Sequence, residues 1–575
     1  MLAVIVAMAV RLFAAMEIVV TPDDENYLYD YKYTAGQIRD GKPVSVAGIL
    51  ASISEINVAS KGFDAVLNDI SINGGTFEQT AILLDGIKVN DSQTGHFNLD
   101  LPIPAIYIGG LTVLKNGSSS IGSGGFTGLI NIEPLKYDKD VSRGYFEYGT
   151  YNTIYSGLLF SRKFSDLIVD ASAESDSSDG YHKDTDFYKN TAMVSLKYTG
   201  IAAVKFGFDE KSYGAYDFYT PGLGLDSWEY TTTKFLDLDL FKDSALNGGA
   251  YYRGHTDHFV LKRSNPSYYE NRHNDAEYGA DIKYDWKISD GNTAAFKYNF
   301  QREEMLSKRL GNHYRDLNRG LINGYFSLPL DITANLNAGL EKYDVYKNLD
   351  FLPSAGLVYK ITPDLKLSAG YSYSVRYPDY TELYYNDSVS IGNPDLKPER
   401  SHEGSAAVEA KFSNIKATLS GFYRSSFDLI DWGKNDPSET KWTIKNIGRV
   451  NTAGYTAGVE LPLDFMTLAG NYTYLDSYRS EPFISKYGVT YLRNKVTASA
   501  GFELLTIKVK FDYTYKNYIN RSQCYNGLDI TLSRDIIQGI NLSLKAENAL
   551  NWYFEETPGI PAIGRLLSVR LEAEL

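Results

Sequence analysis

Cysteine is almost missing from this chain. Cys524 is the single one among 575 residues, which excludes an intrachain disulfide and any thiolate cluster for metal binding or catalysis. Long apolar runs are missing as well. No stretch of about 18 or more apolar residues occurs, so the sequence carries no signature of a membrane-spanning helix. Positive charge is in deficit. Lys and Arg total 57 against 71 Asp and Glu, and the resulting formal charge of −14 argues against nucleic acid as a partner.

Tyrosine is abundant instead, with 47 residues alongside 27 phenylalanines, and much of this content sits in strictly alternating segments. In LTIKVKFDYTYK (505–516), Leu505, Ile507, Val509, Phe511, Tyr513 and Tyr515 share one face. Thr506, Lys508, Lys510, Asp512, Thr514 and Lys516 share the other. Period two predicts a strand. Strands of soluble proteins average about 5–6 residues, whereas a tilted strand crossing a bilayer needs about 9–11. LKLSAGYSYSV (365–375) sets Leu365, Leu367, Ala369, Tyr371, Tyr373 and Val375 against Lys366, Ser368, Gly370, Ser372 and Ser374. LSVRLEAEL (567–575) sets Leu567, Val569, Leu571, Ala573 and Leu575 against Ser568, Arg570, Glu572 and Glu574. Similar segments recur from about residue 143 onward, separated by turns rich in Gly, Asn, Asp and Pro. Short turns such as TPD (362–364) alternate with long, Tyr-rich connections such as 212–230. That asymmetry is the pattern of an outer-membrane β-barrel, with short periplasmic turns, long extracellular loops, a lipid-facing exterior and a polar lumen. A mean hydropathy of −0.29 agrees, because the lumen face dilutes the apolar one. The aromatics suit the interfacial girdles of such a barrel.

Two segments precede the barrel. LAVIVAMAVRLFAA (2–15) has an apolar core and small residues near its end, as in a secretory signal, although Arg11 sits within the core; residues 1–15 are read as a signal remnant. Residues 36–133 have shorter, glycine-rich apolar runs. In AILLDGIKVND (81–91) the Asp85-Gly86 pair predicts a hairpin turn. NGSSSIGSGGFTGLINI (116–132) does not match a phosphate loop, since no Gly-Lys-Ser/Thr follows and a strand comes next. Its glycines predict close backbone packing against another surface. A compact globule ahead of a large barrel implies something seated in the lumen.

The motifs then become specific. SINGGTFEQTAILLDGIKVND, GHFNLDLPIP and LTVLKNGSSSIGSGGFTGLINI resemble the plug domain of TonB-dependent outer-membrane receptors. RYPDYTELYY (376–385), GNPDLKPE (392–399), Glu403, LSLKAENALNWYF (542–554) and Gly564-Arg565 resemble marks of the family's barrel. The resemblance implies an all-β membrane protein, a 22-stranded antiparallel transmembrane β-barrel with an N-terminal plug domain in its lumen. It implies a TonB box and linker over 16–35, a plug over 36–136 and the barrel over 137–575. Glu17, Ile18, Val19, Val20 and Thr21 resemble the TonB box, the β-prone peptide that the inner-membrane TonB protein grasps by strand addition. Three departures stand out. Asn73 replaces the family's Arg before the first plug Gly, Thr112-Val113-Leu114-Lys115-Asn116 replaces its Glu-Val-x-Arg-Gly, and the chain ends in Leu575 rather than an aromatic.

The implied activity is energy-coupled import of a scarce nutrient, of cobalamin type or a metal chelate, with a ferric siderophore as the alternative. TonB, the ligand and outer-membrane lipid are the expected partners, the protein is expected to be a monomer, and no cofactor is required. A passive porin would not need the globule at 36–133, a hydrolase would need a Ser/His/acid set that is not evident, and a signal transducer would need a further periplasmic domain before the box. For the ligand, aromatic loop residues offer large contact area at small entropic cost: Tyr216, Phe218, Tyr219, Trp228 and Tyr230, with Tyr384 and Tyr385. An interfacial girdle is the competing reading of the same residues. Glu174, Asp176, Asp179, Asp184 and Asp186 offer hard oxygen donors for a structural calcium within one loop, with a solvated Asp-Gly turn as the competing reading. His255 and His258 fall on opposite faces of a strand, which disfavours joint metal ligation and predicts solvated or loop histidines.

Overall fold

A computed structural model describes residues 31–115, 120–137, 139–220, 222–479, 484–486, 491–519, 521–557 and 559–575. The signal remnant and the box at residues 17–21 lie outside the described residues. Twenty-two antiparallel strands close into one barrel. Closure joins the first barrel strand, Val141–Gly149, to the last, Leu566–Glu574, with Arg570 opposite Glu147 and Leu571 opposite Phe146. Closure leaves no sheet edge, so every spanning backbone group finds a partner without water.

The alternation read from sequence sorts side chains as expected. Phe146 and Tyr148 are half-exposed on the outside, as are Leu567, Val569 and Leu571, while Tyr145, Glu147, Ser568 and Arg570 are buried inside. Lys516 likewise points inward, onto the Val58 carbonyl and Glu556. Three residues depart from the pattern. Leu505 and Thr506 are not strand residues. They form the two-residue turn between Leu492–Leu504 and Ile507–Tyr518, both at positive φ (49° and 69°). A turn of that hand matches the twist of the flanking strands, and the alternating letters continue through it by coincidence. Val375 is fully buried rather than lipid-facing, because Tyr377 packs over it with Leu317, Tyr343 and Leu352 at the long-loop end of its strand. Strands on this side outrun the bilayer. Glu270–Ser289 has 20 residues, where about 9–11 suffice to cross.

Inside the barrel sits a mixed sheet in the order Tyr31–Thr34, Ile108–Leu114, Gly128–Pro134, Thr80–Leu84, Ile87–Lys88. Two short helices, Ala35–Gly41 and Val46–Ala51, and the hairpin Ile56–Lys61/Leu67–Ile72 complete it. Its sheet therefore starts ahead of residue 36. The Asp85-Gly86 turn forms as predicted, with φ of 49° and 87°. The glycine-rich loop does pack closely. A Cβ on Gly122 would collide with the Arg319 side chain of the barrel wall, and Ser123 and Gly124 donate backbone hydrogen bonds to Glu341 (2.9 Å) and to the Val375 carbonyl (3.0 Å). The plug and the inner wall share one apolar core that includes Leu50, Ile70, Ile106, Tyr107, Tyr155 and Phe235.

Candidate functional site at the plug apex

Buried polar groups cost heavily unless paired, so the ion pairs between plug and wall show where the plug is seated. Glu174 accepts from the backbone N–H groups of Ala105 (2.7 Å) and Ile106 (2.9 Å). Lys495 donates to the carbonyls of Ala51, Ile53 and Ile56. Lys211 reaches Asp100, and Arg253 reaches Asp91. At the short-turn end Lys205 and Lys242 hold Asp85. The family's missing plug arginine has a substitute on the wall: Arg424 pairs with Glu403 (3.1 Å) and donates to the Asn73 carbonyl (2.8 Å). Lys115 is turned inward within the plug, to Glu55 (2.7 Å).

The short helix Tyr380–Tyr384 links apex and loops. Asp379 and Glu382 form its capping box, and Arg376 grips Glu382 with two nitrogens and Glu399 with a third. The freed N–H groups of Tyr380 and Thr381 donate to the plug carbonyls of Ser92 and Gln93, both at 3.0 Å. Glu78 of the plug lies in the same carboxylate group as Asp379 and Glu382. Burial, and then the Glu382 charge, push Glu78 up to about 8. Burial with Glu382 and Glu78 likewise holds Asp379 well above the usual carboxylate range.

Beside that helix the apex offers His96, stacked on Phe77 (4.2 Å between centroids) and bonded to Asp69 (2.6 Å), with Tyr219 edge-on at 6.2 Å. Lys61 also pairs with Asp69 and lies over the Tyr219 ring. Of the aromatics named from sequence, Tyr219 is exposed at this floor, and its hydroxyl is tied to Glu229. Tyr384 stacks flat on His313 (3.7 Å, 3°), and the Tyr385 hydroxyl meets that of Tyr269 at 3.4 Å. Tyr216 packs on His182, and Phe218 is buried beneath, against Gly62. Trp228 and Tyr230 belong elsewhere. They begin the strand Trp228–Leu240 and alternate with the buried, inward Glu229 and Thr231, so they stand on the outer face, stacked on each other at 6.2 Å. That is the placement an interfacial girdle requires.

The five acidic residues do not share one loop. Glu174 and Asp176 are inward residues of the strand Leu167–Ser178, where the alternation simply continues through ESDSS. Glu174 is occupied by the plug. Asp179 accepts from Asn152 and Asp186 pairs with Arg263, so the set does not converge on one point among the described residues. His258 is partly exposed, as expected, but His255 is fully buried against the plug and is neither solvated nor in a loop. His96, Asp69 and Lys61 are absent from the residues that sequence reasoning singles out. The GHFN motif is their one visible signal, and nothing local marks Lys61 and Asp69 as neighbours of His96.

Residues 31–129 match the TonB-dependent Receptor Plug Domain, and residues 131–548 match the family described as TonB dependent receptor-like, beta-barrel. The Vitamin B12 transporter BtuB of Vibrio vulnificus (strain YJ016) is 23% identical over 461 residues, covering 73% of this chain and 70% of its own. That of Photobacterium profundum is 22% identical over 460 residues, covering 75% and 73%. Among solved structures, the FrpB iron transporter of Neisseria meningitidis (F3-3 variant) superposes with a TM-score of 0.78 at 14% identity, covering 95% of this chain and 100% of that one. The siderophore receptor PirA of Pseudomonas aeruginosa gives 0.73 at 14%, covering 95% and 99%. Plug, closed barrel and both family matches agree: the chain belongs to the TonB-dependent receptors of the outer membrane, a family of transport receptors.

Proposed function

We propose that this receptor imports a cobalamin-type or metal-chelate nutrient, drawn through the barrel when TonB pulls on residues 17–21. The observation that carries the reading is the polar and aromatic cluster of His96, Phe77 and Tyr219 at the plug apex, with further tyrosines, Tyr384 and Tyr385, on the loop side. Aromatic faces with a few fixed polar groups suit a large, partly apolar ligand. The curated relatives named as vitamin B12 transporters favour cobalamin, and the structural neighbours named for iron and siderophores supply the alternative.

A cavity of about 370 Å³ separates the plug from part of the wall, lined on the plug side by Glu55, Asn73 and Lys115. The wall opposite presents Ala406, Ala407, Ser420, Gly421 and Gly370 together with larger residues such as Phe422 and Tyr325. The empty volume itself leaves the plug room to shift on this side. The test is direct binding of cyanocobalamin and of a panel of ferric siderophores to the purified receptor. Saturable binding of one class supports the reading, and no binding by either removes it.

A further inference from the structure

One side-chain cluster beneath the apex belongs neither to the floor nor to the calcium set. His255 and Asp275 are directly opposite each other on adjacent barrel strands, and Asp91 of the plug meets them from the lumen. The side chains of all three are completely buried. His255 Nδ1 lies 3.1 Å from Asp91 Oδ2 and 3.4 Å from Asp275 Oδ1. Neither ring nitrogen meets a carboxylate in hydrogen-bond geometry, so His255 and Asp275 Oδ1 are held by ion-pair contacts alone. Buried polar atoms left in this way need an explanation.

We infer that Asp91, His255 and Asp275 form a site for a divalent transition-metal ion of the zinc class, joining the plug to the barrel wall. Ligands about 2.0–2.1 Å from a tetrahedral centre stand about 3.3–3.4 Å apart, close to the separations seen here. Asp91 Oδ1 accepts the backbone N–H groups of Gln93 (2.9 Å) and Thr94 (3.2 Å), while Arg253 bonds the ligand oxygen Asp91 Oδ2 (2.9 Å) and the second oxygen of Asp275, Oδ2 (3.2 Å). On the far side of the imidazole, Nε2 faces Asp100 Oδ2 at 3.4 Å, and Asp100 is itself held by Lys211 and by Thr231 (3.0 Å). A carboxylate behind a histidine fixes the tautomer that presents the other nitrogen to a metal. Phe97 packs against the ring at 4.8 Å.

Asp91, Asp100 and Asp275 surround His255 and are faced by Arg253 and Lys211. A bound dication takes the place of the proton that His255 otherwise carries among them. One imidazole with two carboxylates selects a zinc-class ion over calcium, which prefers six or more oxygens. The site is independent of which nutrient the receptor carries.

The experiment uses the full-length receptor in detergent, stripped with a chelator and titrated with Co²⁺ as a spectroscopic substitute for Zn²⁺. One equivalent should bind with the visible d–d bands of a four-coordinate nitrogen–oxygen site, and Zn²⁺ should displace it. His255→Gln should abolish the bands, Asp100→Asn should weaken binding about tenfold, and the outward-facing His258→Gln should leave it unchanged. Should His255→Gln fail to assemble, Asp275→Asn takes its place, and the wild-type spectrum stands without any variant. Absence of a stoichiometric Co²⁺ spectrum in wild type, or wild-type Co²⁺ binding by both the His255 and the Asp275 variants, overturns the site.

Discussion

Glu78 shows how one half-buried carboxyl couples the plug to pH. Its folded value, pushed up to about 8 by burial and Glu382, lies above that of an unfolded glutamate. The folded state therefore binds the extra proton, and the stabilisation is complete below about pH 4.5 and is lost as pH rises through about 8. Thermal unfolding of the plug should move to lower temperature between pH 6 and pH 9, and Glu78→Gln should flatten that dependence. An equally steep profile in the variant would contradict it. Aromatic residues separate by face in the same way. Tyr219→Ala should weaken ligand binding about tenfold or more, because it removes part of the floor, whereas Trp228→Ala should leave affinity unchanged and lower the barrel's heat resistance. Equilibrium binding and the temperature of gel-mobility change read the two effects apart. The sequence shows which residues are aromatic and clustered. It does not show that Trp228 opens a strand and Tyr219 closes a loop, because the boundary falls between two equally aromatic segments.

At the scale of elements, alternation is a dependable guide to faces and a poor guide to ends. The strand Ile507–Tyr518 faces as its letters say, yet Leu505 and Thr506 continue the same pattern into a turn that forces both to positive φ. Left-handed backbone costs a non-glycine residue roughly 1–2 kcal/mol. Replacing the pair by Asn-Gly, the sequence such turns favour, should raise the barrel's heat resistance by a few degrees. A lowered transition would mean that the Leu505 side chain contributes packing that outweighs the strain. Glu174 and Asp176 teach the complementary lesson. A polar run containing Asp and Ser reads as a loop in a soluble protein, but in a barrel the lumen face is polar, so the same letters continue a strand. His255 is legible as one face of its strand, and its surroundings are not, since Asp91 and Asp275 reach it only through tertiary folding.

For the whole molecule, plug and barrel are legible because each leaves a long-range mark: many spanning-length alternations, and a glycine-rich globule ahead of them. The seating of one in the other rests on pairs distant in sequence, such as Lys495 with Ala51 and Arg424 with Asn73, which no local pattern announces. Import driven from the periplasm is the central claim, and it rests on a β-prone peptide, residues 18–20, adding as a strand to TonB. Val19→Pro removes one backbone donor and fixes φ near −65°, which disrupts a ladder of only a few residues. The ligand site lies across about 30 Å of bilayer. The decisive measurement is uptake by cells of the ligand returned by the binding screen, set beside its affinity for the purified variant. The account predicts that Val19→Pro abolishes energy-dependent uptake with affinity unchanged, while Val19→Ile transports normally. Uptake by the proline variant at the wild-type rate would contradict it and return a passive pore as the explanation.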